Sequence, residues 1–280
     1  NTINMGVFML KLVILIIYFA VLIGIGLYCR KHATDVNGFV LGGRSVGPWL
    51  TAFAYGTSYF SAVVFVGYAG QFGWKYGIAA TWAGIGNAII GSLLAWVVLG
   101  RRTRIMSQHL DSATMPQFFG KRFGSNPLKI GASVIIFIFL IPYTASLYNG
   151  LSRLFGMAFN IDYSVCIIIM ATLTAIYVIA GGYMATAIND FIQGIIMLFG
   201  IIAVIAAVIH SKGGFMSALQ GLANVSDPSV SDTPGIFASF FGPDPFNLLC
   251  VVILTSLGTW GLPQMVQKFY AIDNEASIQK

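Results

Sequence analysis

Residues 55–62 read Tyr-Gly-Thr-Ser-Tyr-Phe-Ser-Ala and interrupt an otherwise apolar run, so that Gly56, Thr57, Ser58 and Ser61 stand where leucine or isoleucine is expected. A backbone group freed by a broken helix costs several kcal/mol in lipid unless the protein satisfies it, so such a break persists only where it is buried or lines a cavity. Here Gly56 permits unusual dihedrals, and Thr57, Ser58 and Ser61 supply hydroxyl oxygens. Freed carbonyls and hydroxyls together suit a small hard cation. Gly, Ser and Thr also serve where membrane helices pack closely, and this segment alone is compatible with both roles.

A second interruption lies at 256–264, Ser-Leu-Gly-Thr-Trp-Gly-Leu-Pro-Gln, with Gly258, Gly261 and Pro263 at its centre and Thr255, Ser256, Thr259 and Gln264 beside them. Gly- or Pro-interrupted spans in corresponding positions of two halves mark the binding site of an inverted-repeat transporter. Trp260 sits inside this break, where its ring can stack on or gate a solute, or simply pack. Asp190 is the acidic residue nearest a span interior. Intramembrane carboxylates are costly and are functional candidates by default, but Gly181 and Gly182 end the preceding span so close by that Asp190 can equally cap a helix or face water. Nothing argues for bond-making chemistry. His32, His109 and His210 are dispersed in or beside loops with no nucleophile–base spacing, so no enzyme is expected. Cys29, Cys166 and Cys250 fall in or at the ends of spans without paired spacing, which suggests neither disulfides nor a metal site.

The elements that position these residues must lie in a membrane. Of the 280 residues, 57% are hydrophobic and 9% charged, and the mean hydropathy of +0.83 is far outside the range of soluble domains. Seven apolar stretches, at 7–28, 47–72, 77–100, 130–156, 162–180, 185–209 and 246–270, are long enough to cross a hydrocarbon layer of about 30 Å as helix. No segment alternates apolar and polar residues over the ~10 positions of a barrel strand, so the predicted class is all-α and transmembrane. The first stretch exceeds a signal-peptide core and lacks a small-x-small site before Tyr28, which makes it a helix. Lys11 within it snorkels toward an interface, and Asp162 caps the helix that follows it.

The net charge of +6 is sorted by loop rather than gathered on one soluble face, which points to topology and away from nucleic acid. With the N-terminus outside, Arg30, Lys31, Arg44, Arg101, Arg102, Arg104, Lys121, Arg122, Lys129, Lys268 and Lys280 lie inside, eleven of the fifteen basic residues. The positive-inside rule therefore predicts a multi-pass plasma-membrane protein with its N-terminus out and its C-terminus in. Lys75 and Arg153, on the outer side with Lys212, either steer an anionic solute or anchor the surface. The longest polar stretches are 101–129 and 211–245. In the first, Asp111, Ser112 and Thr114 precede an amphipathic helix at 115–123; the second holds a short helix at 214–224 and then a Pro-rich loop. The tail after 270 reads as the lead-in to another element, and the first Met is Met5, so the chain is expected to be a C-terminally truncated fragment.

Three motifs in this order resemble the sodium/solute symporter family: residues 39–62, with Gly-Gly-Arg ahead of the helix; residues 181–200, where Asp190 precedes Gln193 and a Met-containing run; and residues 260–272. They are most similar to its sodium/proline and sodium/pantothenate branches. The resemblance implies a LeuT-like fold of two inverted five-helix repeats plus extra helices. Residues 1–30 would form the extra N-terminal helix, 46–210 the first repeat, 211–245 an extracellular loop and 246–280 the opening helix of the second repeat with the start of a cytoplasmic loop. It implies sodium held by carbonyls at Thr57 and Phe60 with the Ser61 hydroxyl nearby, the other hydroxyl ligands coming from a later helix. Asp190 would serve sodium exit or gating. Ser58, Tyr59, Thr259, Trp260, Gly261 and Gln264 are the candidates for contacting the solute.

Relatives of the proline branch carry an acid where this chain has Tyr59, which leaves a pantothenate-like carboxylate, a monocarboxylate and another amino acid open beside proline. The expected function is sodium-coupled symport of a small organic solute by alternating access, with sodium and the lipid bilayer as partners besides the solute. The alternative is a non-transporting membrane remnant acting as a sensor or interaction module.

Overall fold

A computed structural model describes residues 2–60 and 68–279. Most of the helices begin at a capping side chain or a first-turn proline. Helix α1 spans Thr2–Cys29 and α2 Val36–Leu41, the latter capped by Asp35, which accepts from the Gly38 N–H. Helix α3 (Pro48–Tyr59) starts on its proline. Helix α4 (Ala69–His109) runs through 41 residues, tightening at Gly77–Ala80 and widening to i→i+5 turns at Asn87–Leu94 and Trp96–Gly100. Helix α5 (Met115–Phe123) is capped by Thr114 and ends at the left-handed Gly124. Helix α6 (Asn126–Phe159) follows Ser125, and α7 (Tyr163–Ser211) follows its cap Asp162. After α8 (Phe215–Ala223) and an irregular segment, α9 (Pro245–Gly258) leads through a 3₁₀ turn at Thr259–Gly261 into α10 (Pro263–Ala271). No β-sheet occurs among the described residues; Val46 and Ile272 form an isolated parallel bridge.

The chain is an all-α, multi-pass membrane protein. Among the described residues, α1, α4, α6 and α7 are long and apolar enough to cross a membrane, and α9 with α10 makes a fifth crossing bent by 52°. Large side chains such as Phe137, Phe139, Ile179 and Phe199 are exposed, costly in water and at home in lipid. The seven apolar stretches map onto these helices with two differences. Stretches 162–180 and 185–209 fall in the single 49-residue α7, broken at Gly182 (φ 56°, ψ −149°). A straight helix of that length would run ~74 Å, more than twice the hydrocarbon thickness, so the break makes two spans of it. Only glycine fits there: a Cβ would sit 2.7 Å from the Phe39 carbonyl oxygen. Stretch 47–72 crosses residues 61–67, outside the described residues, and only α3 and the start of α4 are seen from it.

Helix α7 lies at the centre and packs against α1, α2, α3 and α6, while α10 packs against α3 and the end of α4, and α9 against the middle of α4. The largest buried cluster joins Leu41, Val46, Ala54, Tyr183, Val266 and Tyr270 from five elements and loops. A second, aromatic cluster of Tyr55, Tyr59, Met265 and Phe269 lies beside Trp96 and Trp260. The second cluster therefore gathers at the two interrupted segments that the sequence singled out.

Candidate functional site

The first interruption is the end of α3. Helical backbone stops at Tyr59, and Phe60 (φ −90°, ψ 67°) leaves it, its N–H still donating to the Gly56 carbonyl at 2.8 Å. The Thr57 hydroxyl turns back to donate to the Phe53 carbonyl at 2.8 Å. This is the i−4 bond that Thr makes in apolar surroundings, and it leaves the oxygen's lone pairs open. Ser58 is half-buried. Ser61 lies outside the described residues.

The second interruption is the bend between α9 and α10, and one tyrosine joins it to the first. The Tyr59 side chain is buried, with its hydroxyl 3.0 Å from Asn87 Oδ1 and 3.1 Å from the Thr255 carbonyl oxygen. Thr259 donates to the same hydroxyl at 3.2 Å, and Ser256 donates to Asn87 Oδ1 at 3.0 Å. Four side chains from α3, α4 and the bend thus satisfy one another within a buried pocket, as polar groups in a low-dielectric interior must. The i→i+5 turns of α4 present further carbonyls: Gly91 accepts from Tyr55 at 3.0 Å, and Ile90 accepts from the Trp260 indole at 3.0 Å. Trp260 is therefore docked on α4 within the aromatic cluster. Gly261 is exposed.

A charged pair lies across the interface of α7 and α10. Lys268 Nζ is 3.7 Å from Asp190 Oδ2, with side-chain exposures of 7% and 23%, and the ammonium lies 4.8 Å from the centroid of the Tyr183 ring. Thr57 stands beside Asp190. The approach of α3 to α7 is set by Gly194, where a Cβ would meet Phe53 at 2.6 Å and Thr57 at 3.1 Å. Asp190 consequently faces a buried cation and a hydroxyl, and neither caps a helix end nor opens wholly to water.

Two arginines strap the end of α10. Arg44 donates to the Tyr270 carbonyl (3.2 Å), the Ser112 carbonyl (2.8 Å) and both oxygens of Ser107 (3.1 and 3.2 Å). It holds a left-handed backbone (φ 55°) unusual for a non-glycine residue. Arg104 donates to the Ile272 (2.6 Å) and Asp273 (3.0 Å) carbonyls. Between this strap and the bend, a cavity of about 520 Å³ is lined by Tyr143, Thr144, Pro263, Gln264, Gln267 and Tyr270, among others. Gln264 Oε1 is buried without a hydrogen-bond partner, whereas Gln267 donates to the Val40 carbonyl.

The structure therefore brings Thr57 together with Asp190, and Tyr59 together with Thr259. Gln264 reaches the cavity, and Trp260 is directed into packing. Sequence reasoning passed over Asn87, Lys268, Arg104, Tyr143 and Thr144. Asn87 carried a usable signal, a lone amide inside an apolar span. Lys268 carried another: it is one helical turn after Gln264 on a segment whose neighbours Val266, Phe269 and Tyr270 are apolar. The described residues include no group of three or more His, Cys, Asp or Glu side chains able to hold a metal ion.

Comparison with known proteins gives a consistent result. The sequence model of the Sodium:solute symporter family matches residues 39–280. Sodium/proline symporters of Staphylococcus aureus strains JH9 and N315 are each 31% identical over 272 residues, 96% of this chain and 51% of theirs. The chain spans about half the length of these curated relatives.

Proposed function

The chain belongs to the sodium:solute symporter family, and from that premise we propose that the protein couples inward sodium movement to uptake of a small organic solute by alternating access. The observation that carries this reading is the contact between two interrupted helices, the end of α3 and the 52° bend of α9–α10, through the buried hydroxyl of Tyr59. Coupling requires that sodium and solute bias one shared rearrangement, and a junction that links both interruptions supports such sharing.

In this reading sodium is a transported substrate held by the carbonyls of Thr57 and Phe60 with Ser61, and it leaves past Asp190. The solute contacts Ser58, Thr259, Gly261 and Gln264, and the cavity beside Gln264 adds Tyr143 and Thr144. Tyr59 and Trp260 shape the site from behind. Residues 46–210 act as one repeat of a LeuT-like inverted pair and 246–280 open the other, 1–30 being an added helix and 211–245 an outer loop. The N-terminus faces outward and the C-terminus the cytoplasm, which leaves the arginine strap at the inner surface. The relatives are named sodium/proline symporters. Proline and a pantothenate-like carboxylate are the solutes to try, because Tyr59 removes the acid that the proline branch carries.

The test is uptake of labelled proline and pantothenate into liposomes containing the full protein, with and without an inward sodium gradient. Uptake of either that collapses without the gradient is expected. Uptake of either at equal rate in choline overturns sodium coupling.

A further inference from the structure

We propose that the Lys268 ammonium is a tethered cation that occupies Asp190 whenever sodium does not, so that sodium leaving the protein must displace it and thereby release α10 from α7. The proposal rests on the sodium-symport reading above.

A lysine is almost never buried without strong pairing, yet Lys268 is 5% exposed and weakly held. Its 3.7 Å separation from Asp190 Oδ2 is longer than an ordinary hydrogen bond, and the face of the Tyr183 ring lies 4.8 Å away. Three strongly hydrated N–H donors thus face one distant carboxylate and one ring. Such an ammonium neutralises Asp190 without satisfying it, and a gap of this size leaves the carboxylate oxygens able to accept a smaller cation.

The surroundings suit sodium better than ammonium. Hard cations take oxygen ligands, and the Asp190 carboxylate with the Thr57 hydroxyl beside it supplies oxygens. In a medium of low dielectric a single carboxylate neutralises one cation well and two badly, so sodium at Asp190 and the Lys268 pair exclude each other. With the pair formed, α10, which follows the second interruption, is drawn onto α7 beside Thr57. With sodium in its place that attraction is gone and the arm after the bend is free to move.

Competition of this kind raises the sodium concentration that uptake requires. If Lys268 holds Asp190 for about nine-tenths of the time, its removal tightens apparent sodium affinity by about tenfold. The experiment measures the sodium half-saturation of solute uptake, at saturating solute, by the full protein in liposomes. Lys268→Gln is expected to lower it by about tenfold and to slow maximal uptake, since nothing then expels the ion. Lys268→Arg, which keeps the charge, is expected to stay near the unsubstituted value. In an Asp190→Asn background, Lys268→Gln is expected to add no shift. A merely structural lysine would change the amount of active protein and leave half-saturation alone, and that result overturns the proposal. Should Lys268→Gln fail to assemble, acetylation of Lys268 in the unsubstituted protein by acetic anhydride, read by mass spectrometry, decides. Labelling several-fold faster in sodium than in choline supports displacement, and equal rates overturn it. Sodium-independent uptake by the unsubstituted protein would instead overturn the symport reading itself.

Discussion

Two buried junctions, one joining the end of α3 and α4 to the α9–α10 bend and one joining α7 to α10, are built differently. At Tyr59, Asn87, Ser256 and Thr259 every group is neutral, and the contacts run from 3.0 to 3.2 Å. At Asp190 and Lys268 the groups are charged and the gap is 3.7 Å. A neutral hydrogen-bonded network loses by any rearrangement, because each buried donor or acceptor left alone costs its full desolvation. An under-coordinated ion pair has an exchange open to it: another cation can serve the same carboxylate. The hydroxyl junction is thus fitted to be a pivot and the ionic junction to be a latch, although both engage the bent α9–α10 pair.

Three substitutions would break or sharpen that contrast. Asp190→Leu leaves the Lys268 charge buried and unpaired, a loss of about 3–5 kcal/mol; the unfolding temperature is expected to fall markedly. A melting curve like that of the unsubstituted protein would mean the pair is not a structural contact. Tyr59→Phe removes the hydroxyl shared by Asn87 and Thr259, at about 1–3 kcal/mol for the groups left unsatisfied. It is expected to lower the unfolding temperature while the sodium half-saturation of uptake holds. A shift in half-saturation as large as that of Lys268→Gln would erase the difference between pivot and latch. Smallest is Trp260→Phe, which deletes one bond to the Ile90 carbonyl, worth about 0.5–1.5 kcal/mol. A modest loss of stability with solute affinity unchanged is expected, and a large drop in affinity would return Trp260 to the solute site.

Local features were legible in the sequence because local rules govern them. Thr114 and Asp162 announce helix starts that the structure keeps, and Gly258, Gly261 and Pro263 announce the bend. Gly181 and Gly182, where the sequence ends one span and 185 opens the next, mark the break that divides α7 in two. What escaped is pairing across distance. Tyr59 was weighed for the acid it replaces, and nothing nearby in sequence says that its hydroxyl reaches Asn87 and Thr259. Lys268 entered only as one of the inner positive charges. Its burial follows from the arginine strap, in which Arg44 and Arg104 hold the carbonyls of Tyr270, Ile272 and Asp273 and fix α10 against α3 and α4. Periodicity and capping carry no information about such a tether.

Shared binding of sodium and solute to the two interrupted helices is tested most directly by following both fluxes in one preparation, with labelled sodium and labelled proline or pantothenate in liposomes bearing the full protein. Solute added outside should raise sodium entry, and removal of sodium should stop solute entry. Sodium entry indifferent to solute, together with solute entry that persists in choline, would contradict coupling through the junction of α3 with the α9–α10 bend.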